Sequence, residues 1–424
     1  MRLFRTLPAT ALRNLLFLFA TSLCFWTSLT ALLPILPSYI QDATANSDGL
    51  GGASDSQVGL VMGCFAIGLL LSRERLGMMA DRQGRKLVML IGLAVVGLAP
   101  LGYALTQSVP LLACLRGFHG ISVAAYTTGY PALVVDLAPP QRKGELLGLM
   151  TLAMPLGMTM GPALGGFLQP EIGYANFFLL LAGLAAAGLL LASQIRETRV
   201  VAAEPAPHQR RSLRDSLTEM WQGLTSPRLQ TPATVLLFIG LTFGALVSFF
   251  PLFLRQAELD LNPGLFYTVS AMGNFSARFL AGRASDRYGR GVFITISISL
   301  YALSMFLLMT ATSPQGVLLA AVFQGIGGGT LIPMVLALMS DRSLADERGR
   351  IYSLSFVGHD VGMGLAGPIF GPLTSFIGYR GLFGLGGVFS LGALGLFLTR
   401  SSKDVPESLR FATGRGADAY AIEP

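Results

Sequence analysis

The chain has 424 residues, of which 52% are hydrophobic and only 12% charged, and its mean hydropathy is +0.60. A soluble domain carries roughly twice that share of charge, so the composition excludes a water-soluble surface and indicates a polytopic membrane protein. The formal charge of +7 sits in loops between apolar segments, which sets aside nucleic-acid binding as its explanation.

A crossing needs roughly 20 mostly apolar residues. On that ruler, spans are predicted near 14–40, 58–80, 86–106, 110–136, 145–168 and 174–195. A second set is predicted near 232–255, 264–284, 292–311, 316–340, 350–374 and 380–400. Arg2, Arg5 and Arg13 precede the first apolar run, which is too long for a signal-peptide core, so it is read as a retained span. Lys and Arg are absent from 41–57, 107–110 and 168–175 but crowd at Arg82–Lys86, Arg142–Lys143, Arg196–Arg214, Arg283–Arg290 and Arg342–Arg350. By the positive-inside rule this alternation places both termini and the middle loop in the cytoplasm, with Arg255 and Arg380 as single exceptions. The expected organisation is a six-helix bundle over 1–195, a cytoplasmic linker over 196–231, a second six-helix bundle over 232–400 and a cytoplasmic tail over 401–424. Within the linker, Leu213, Leu217, Met220, Trp221 and Leu224 recur at helical spacing, so 212–224 reads either as a helix lying on the membrane or as a solvated linker. The polar tail after Ser401 is expected to be disordered. Cys24, Cys64 and Cys114 fall in apolar segments without metal-ligand spacing and are expected to be small buried hydrophobes.

Two polar hairpins read almost alike: Gly77-Met78-Met79-Ala80-Asp81-Arg82-Gln83-Gly84-Arg85-Lys86 and Gly282-Arg283-Ala284-Ser285-Asp286-Arg287-Tyr288-Gly289-Arg290-Gly291. Positions 81 and 286 stand 205 apart, and the same offset joins Arg73 to Arg278, Gly120 to Gly325, Asp136 to Asp341, Gly144 to Gly349 and Ile172-Gly173-Tyr174 to Ile377-Gly378-Tyr379. One inserted residue brings Gly161-Pro162 onto Gly367-Pro368. An internal duplication of this kind is the plan of a secondary transporter, with a site between its halves. Each hairpin aspartate ends one helix close to the free amides that start the next. Asp81 is also in reach of Arg85, for which Asp136 offers a second carboxylate.

With these hairpins the chain resembles the major facilitator superfamily along essentially its whole length. The resemblance implies an all-α membrane fold of twelve helices in two pseudo-symmetric six-helix bundles. It implies a cytoplasmic latch built from Gly77, Asp81, Arg82, Gly84, Arg85 and Asp136 and from the twins Asp286, Arg287, Arg290 and Asp341. Only the last basic position of the second hairpin departs, being Gly291. The segment Gly157-Met158-Thr159-Met160-Gly161-Pro162-Ala163-Leu164-Gly165-Gly166 resembles the fifth-span signature of proton-coupled exporters. In that family Gly157, Gly161, Pro162, Gly165 and Gly166 would form a bent, leak-tight hinge. Small residues at four-residue spacing equally serve close helix packing. Arg116 resembles the family's fourth-span arginine, associated with proton coupling. His119 stands where the pattern often has glutamine, which its repeat twin Gln324 keeps.

Intramembrane charges are costly unless they face the bundle interior with partners. A histidine titrates near neutrality, so His119 is a candidate relay beside Arg116. Asp360, next to His359 in the eleventh span, is the candidate coupling carboxyl. Arg73, Glu74 and Arg75 read as snorkelling structural charges. Trp26, Tyr126, Phe243, Asn274 and Gln324 are candidate cavity residues for an amphiphilic ligand, each also readable as packing.

The expected function is proton-coupled export of a small amphiphilic organic compound by alternating access. The alternative is a proton symporter or importer of a sugar, organic acid or other metabolite. No phosphate loop, metal constellation or paired catalytic carboxylate points to an enzyme, and no cofactor is expected. The expected partners are a small-molecule substrate, protons and the lipid bilayer, with no nucleic acid and a monomer as the working unit. The bacterial inner membrane is the expected location.

Overall fold

A computed structural model describes residues 9–48, 52–139, 142–195, 222, 225–344 and 348–422. The described residues are helical, without strands. The helices are α1 (Ala9–Thr30), α2 (Leu36–Asp48), α3 (Asp55–Gln83), α4 (Arg85–Ala104), α5 (Val109–Leu137), α6 (Lys143–Met150) and α7 (Ala153–Ser193). They continue with α8 (Gln230–Gln256), α9 (Pro263–Tyr288), α10 (Arg290–Thr310), α11 (Pro314–Asp341), α12 (Arg348–Arg400) and α13 (Val405–Ala412). α7 and α12 each carry two crossings, joined where Gly173 (φ 78°) and Gly378 (φ 65°) leave helical geometry. Among the described residues this gives twelve spanning helices, as the hydropathy pattern predicts.

Local chemistry sets the helix ends. Ser54 and Gln57 form a reciprocal capping box at the start of α3, with Ser54 N–H donating to Gln57 Oε1 over 2.9 Å. Ser313 accepts from Gly316 N–H ahead of α11, where Pro314 occupies the first turn. The two polar hairpins turn at Gly84 (φ 113°) and Gly289 (φ 89°), a backbone region open chiefly to glycine.

The chain divides into two compact units: residues 1–205 with 262–268, and residues 206–261 with 269–424. In the first unit, one core gathers Phe25, Trp26, Met89, Leu93, Tyr126, Tyr130 and Leu146. In the second, a core gathers Leu236, Ile294, Ile298, Tyr301, Leu338, Phe397 and Phe411. Glycine-lined seams bring backbones together in both, since lipid supplies no hydrophobic drive for association. α7 approaches α1 through Gly157, Gly161 and Gly165, and α12 approaches α8 through Gly358 and Gly362.

Three sequence expectations change, and a fourth falls outside the described residues. The first span is not continuous over 14–40: α1 ends at Thr30 and a turn over 31–35 leads into α2. Pro34 and Pro37 explain the break, because neither has an amide to donate and each ring crowds the preceding turn. The tail after Ser401 is not disordered but folds, with α13 buried through Ser408, Phe411 and Ala412. Cys24 and Cys64 are only partly buried, and Cys114 is exposed on a groove of about 670 Å³ between α3 and α5. The amphipathic stretch expected over 212–224 lies outside the described residues except for Gln222.

Candidate functional site

Arg116 and His119 sit one helical turn apart on α5, both buried, at 6% and 0% exposure. Phe65 of α3 covers the guanidinium at 4.4 Å from its ring centroid, and the same ring meets His119 edge-on at 5.8 Å. His119 Nδ1 lies 3.1 Å from the Tyr103 hydroxyl of α4 and 3.4 Å from Arg116 Nη1. A guanidinium can only donate, so Nδ1 is the accepting nitrogen in this arrangement. Arg116 Nε and His119 Nε2 are buried without a hydrogen-bond partner. No ion pair to Arg116 occurs among the described residues, so its charge is held by an aromatic face rather than by a carboxylate.

The second unit carries the corresponding positions with different chemistry. Gln324, the twin of His119, accepts a hydrogen bond from the Ser270 hydroxyl and donates to the Tyr301 hydroxyl over 3.1 Å. Ser270 stands 205 positions from Phe65. Gln324 therefore spends its amide inside the bundle. Asn274 is half-buried, and its backbone packs on Gly329.

Asp360 of α12 is buried at 6% exposure, with His359 Nδ1 at 3.6 Å from its Oδ1. Phe243 of α8 stands 6.2 Å from the His359 ring. Among the described residues, Asp360 is the single buried carboxylate within the spanning helices.

At the hairpins, Arg85 pairs with Asp136 over 2.5 Å and donates to the Ala132 carbonyl over 3.0 Å. Its twin Arg290 lies 3.4 Å from Asp341 and donates to Ser285 over 2.7 Å. Asp81 and Arg82 are exposed, and Gly77 has open space around it. Arg287 lies over the Tyr288 ring at 5.5 Å. The side chain of Asp286 lies outside the described residues.

The fifth-span glycines are packing positions in this structure. A carbon added at Gly157 would lie 2.6 Å from Trp26 Cβ, and one at Gly161 would lie 2.6 Å from the Thr27 carbonyl. Thr30 of α1 also donates to the Gly157 carbonyl over 3.2 Å. The Gly166 carbonyl accepts from Asn262 over 2.6 Å, inside the first unit, and Pro162 is buried in the same face. Trp26 and Tyr126 belong to the first unit's core, where Tyr126 stacks on Phe25 with centroids 3.9 Å apart.

Several partners were not legible beforehand. Tyr103 and Tyr301 lock positions 119 and 324 from neighbouring helices, and aromatic residues in apolar runs give no sign of that. Lys86 donates to the Ser193 and Ile195 carbonyls, each over 2.7 Å, and so caps the end of the sixth span. Phe65 and Ser270 share the 205-residue offset, which is a signal the repeat itself carried.

Known proteins match this arrangement over most of the chain. A protein of Lactococcus lactis described as a multi-drug resistance efflux pump PmrA homolog is 28% identical over 367 residues, covering 84% of this chain and 87% of its own. The multidrug resistance protein MdtG of Serratia proteamaculans is 24% identical, with 85% and 87% covered. Among solved structures, the nucleoside transporter NupG superposes with a TM-score of 0.75 at 14% identity, covering 90% of this chain and 98% of that one. The human organic anion transporter MFSD10 superposes with a TM-score of 0.68 at 20% identity, covering 92% and 100%. These neighbours share the fold. The sequence pattern of one family, matching residues 18–277 and 263–421, spans both repeats, and on that ground this integral membrane chain belongs to the Major Facilitator Superfamily.

Proposed function

We propose that this transporter exports a small amphiphilic organic compound in exchange for protons, by alternating access across the bacterial inner membrane with both termini in the cytoplasm. The observation that carries the reading is Asp360, a buried carboxyl in a spanning helix with a histidine 3.6 Å away. A proton taken up from one side neutralises it, and release to the other side restores the charge, so each turnover passes one conformation with the group neutral and one with it ionised. Arg116 and His119 hold the fixed charge and the titratable ring of the first unit. The Arg85–Asp136 and Arg290–Asp341 pairs serve as cytoplasmic latches that break and re-form during the cycle. The export direction draws support from a relative described as a multi-drug resistance efflux pump homolog and from the Gly157–Gly166 signature.

The test uses inside-out vesicles loaded with acid, with ethidium as the amphiphilic probe and a pH-sensitive dye reporting proton flux. The wild-type protein is expected to concentrate ethidium and release protons together. Asp360→Asn is expected to lower gradient-driven accumulation at least about tenfold, a barrier change of about 1.4 kcal/mol or more, while leaving probe binding in place. Accumulation at the wild-type rate in Asp360→Asn overturns the coupling assignment. Ethidium driven out of the vesicles along with protons replaces export by symport.

A further inference from the structure

At the last position of the second hairpin, Gly291 stands in the place of Lys86. In the first unit Lys86 caps the carbonyls that end the sixth span. A side chain is not tolerated at Gly291: an added carbon would collide with the carbonyl oxygen of Phe411 and lie 2.8 Å from its carbon. The space left by the missing lysine is filled by the C-terminal segment.

That segment is held by a buried arginine with no counterpart in the first repeat, where Leu137 takes the same register. Arg342 is 1% exposed. Its Nε and Nη2 make a forked pair with Asp418 at 2.7 and 2.8 Å, the planar geometry in which such pairs are strongest. Nη1 donates to the Arg228 carbonyl ahead of α8 over 3.0 Å, and Nη2 to the Ser401 carbonyl at the end of α12 over 2.8 Å. Phe411 and Tyr420 stack around the guanidinium at 5.9 and 5.0 Å. Arg342 thus does for the twelfth span what Lys86 does for the sixth, and joins the tail to it. Two further bonds bring the tail onto α10 and the end of α11. Thr295 of α10 donates to the Ala412 carbonyl over 3.0 Å, and Ile422 N–H donates to the Asp341 carbonyl over 2.9 Å. Asp341 is the residue that faces Arg290.

We propose that residues 401–422 form a clasp, closed by the Arg342–Asp418 pair, that replaces the missing lysine of the second hairpin and holds Asp341 in place for Arg290. Arg342, Asp418 and Gly291 are positioning residues: they act on the Arg290–Asp341 pair rather than on a substrate. The functional meaning of that pair rests on the latch reading above, but the clasp is tested without transport.

The experiment is limited trypsin digestion of the purified full-length protein, read by mass spectrometry at three places: Arg82, Arg85 and Lys86 in the first hairpin, Arg287 and Arg290 in the second, and Arg410 and Arg415 in the tail. Cleavage of a folded segment tracks its open population. Breaking a buried pair typically shifts that population by two orders of magnitude or more, so Asp418→Asn is expected to speed tail cleavage about a hundredfold. It is expected to speed cleavage of the second hairpin about tenfold and to leave the first within about twofold, since distant sites act independently. Gly291→Ala is expected to reproduce this pattern with every tail residue intact, and Asp418→Glu to restore most of the protection. The unchanged first hairpin certifies that the chain remains folded. Tail cleavage unchanged in both Asp418→Asn and Gly291→Ala overturns the clasp. A released tail with an unchanged second hairpin overturns the positioning role.

Discussion

Replacing Gly161 by alanine adds one methyl group inside the α1–α7 seam. That carbon would lie 2.6 Å from the Thr27 carbonyl oxygen and 2.8 Å from the Ala31 nitrogen, and it would collide with the Thr30 hydroxyl. Two of these three neighbours are backbone atoms, of α1 and of the first residue after it, so no rotamer change relieves the clash and the helices must separate. Overpacking costs about 1–3 kcal/mol, and rigid neighbours place this case at the upper end. Alanine recovers about 1 kcal/mol of helix propensity over glycine, which leaves a net loss of about 2 kcal/mol. For a unit of this size, that lowers the unfolding midpoint by about 4–8 °C. Gly183 lies on the same helix with nothing within 4 Å of an added carbon. Gly183→Ala therefore keeps only the propensity gain and should raise the midpoint by about 2–4 °C. The assay is thermal unfolding of the purified variants in one detergent, and opposite signs are expected. Shifts of the same sign and similar size would refute the argument that backbone approach, rather than glycine's flexibility, explains the fifth-span motif.

The two hairpin pairs should differ in strength. Asp136→Asn removes a partner 2.5 Å from Arg85 with 18% side-chain exposure, whereas Asp341 lies 3.4 Å from Arg290 and is 44% exposed. The first change should cost about 1 kcal/mol more in urea or thermal unfolding, and the second should fade with added salt. Tyr103→Phe deletes the hydroxyl that meets His119 Nδ1 inside the bundle and should cost about 1 kcal/mol, read as a midpoint loss of about 2–4 °C. Gly378→Ala has open space but a φ of 65°, so it should lose about 1–3 kcal/mol from backbone strain alone. Equal stability to Gly183→Ala would contradict that assignment.

The fold was legible in the sequence because its two strongest signals are physical necessities of the bilayer. Spans must be long and apolar, and a duplicated hairpin exposes the repeat between them. The glycines at 84 and 289, and at 173 and 378, matched in register and turn out to share positive φ. Other features had no one-dimensional trace. Pro34 and Pro37 lie inside an apolar run, and only their joint effect on successive turns breaks the first span. The tail is polar by composition, yet Phe411 and Ala412 reach a core whose other members lie in α10, α11 and α12 and in or just ahead of α8. A buried arginine–aspartate pair, Arg342 with Asp418, also ties it down, and composition does not reveal it. Intramembrane Arg116 and Asp360 were visible as charges out of place. Their surroundings were not, because an all-apolar helix carries no periodic signal of its rotation.

The two halves have kept the backbone approach of the duplicated ancestor and changed the chemistry placed on it. Gly120 presses on the Phe65 carbonyl, and Gly325 presses on the Ser270 carbonyl at the twin contact. Gly92 meets the Ser122 carbonyl, and Gly327, the twin of Ser122, meets the Ser297 carbonyl, so the small residue has changed sides while the close approach persists. On this common frame the first unit holds a cation under an aromatic ring, beside a histidine. The second holds a neutral serine–glutamine–tyrosine chain at the same register and carries its ionisable group on α12 instead. The first unit thus holds a buried guanidinium, and the second a buried carboxyl group. A guanidinium keeps its charge throughout a cycle whereas a carboxyl does not, so under the proton-exchange reading the change of charge state belongs to the second unit, and replacing Arg116 should alter affinity and rate without abolishing the proton's stoichiometric release.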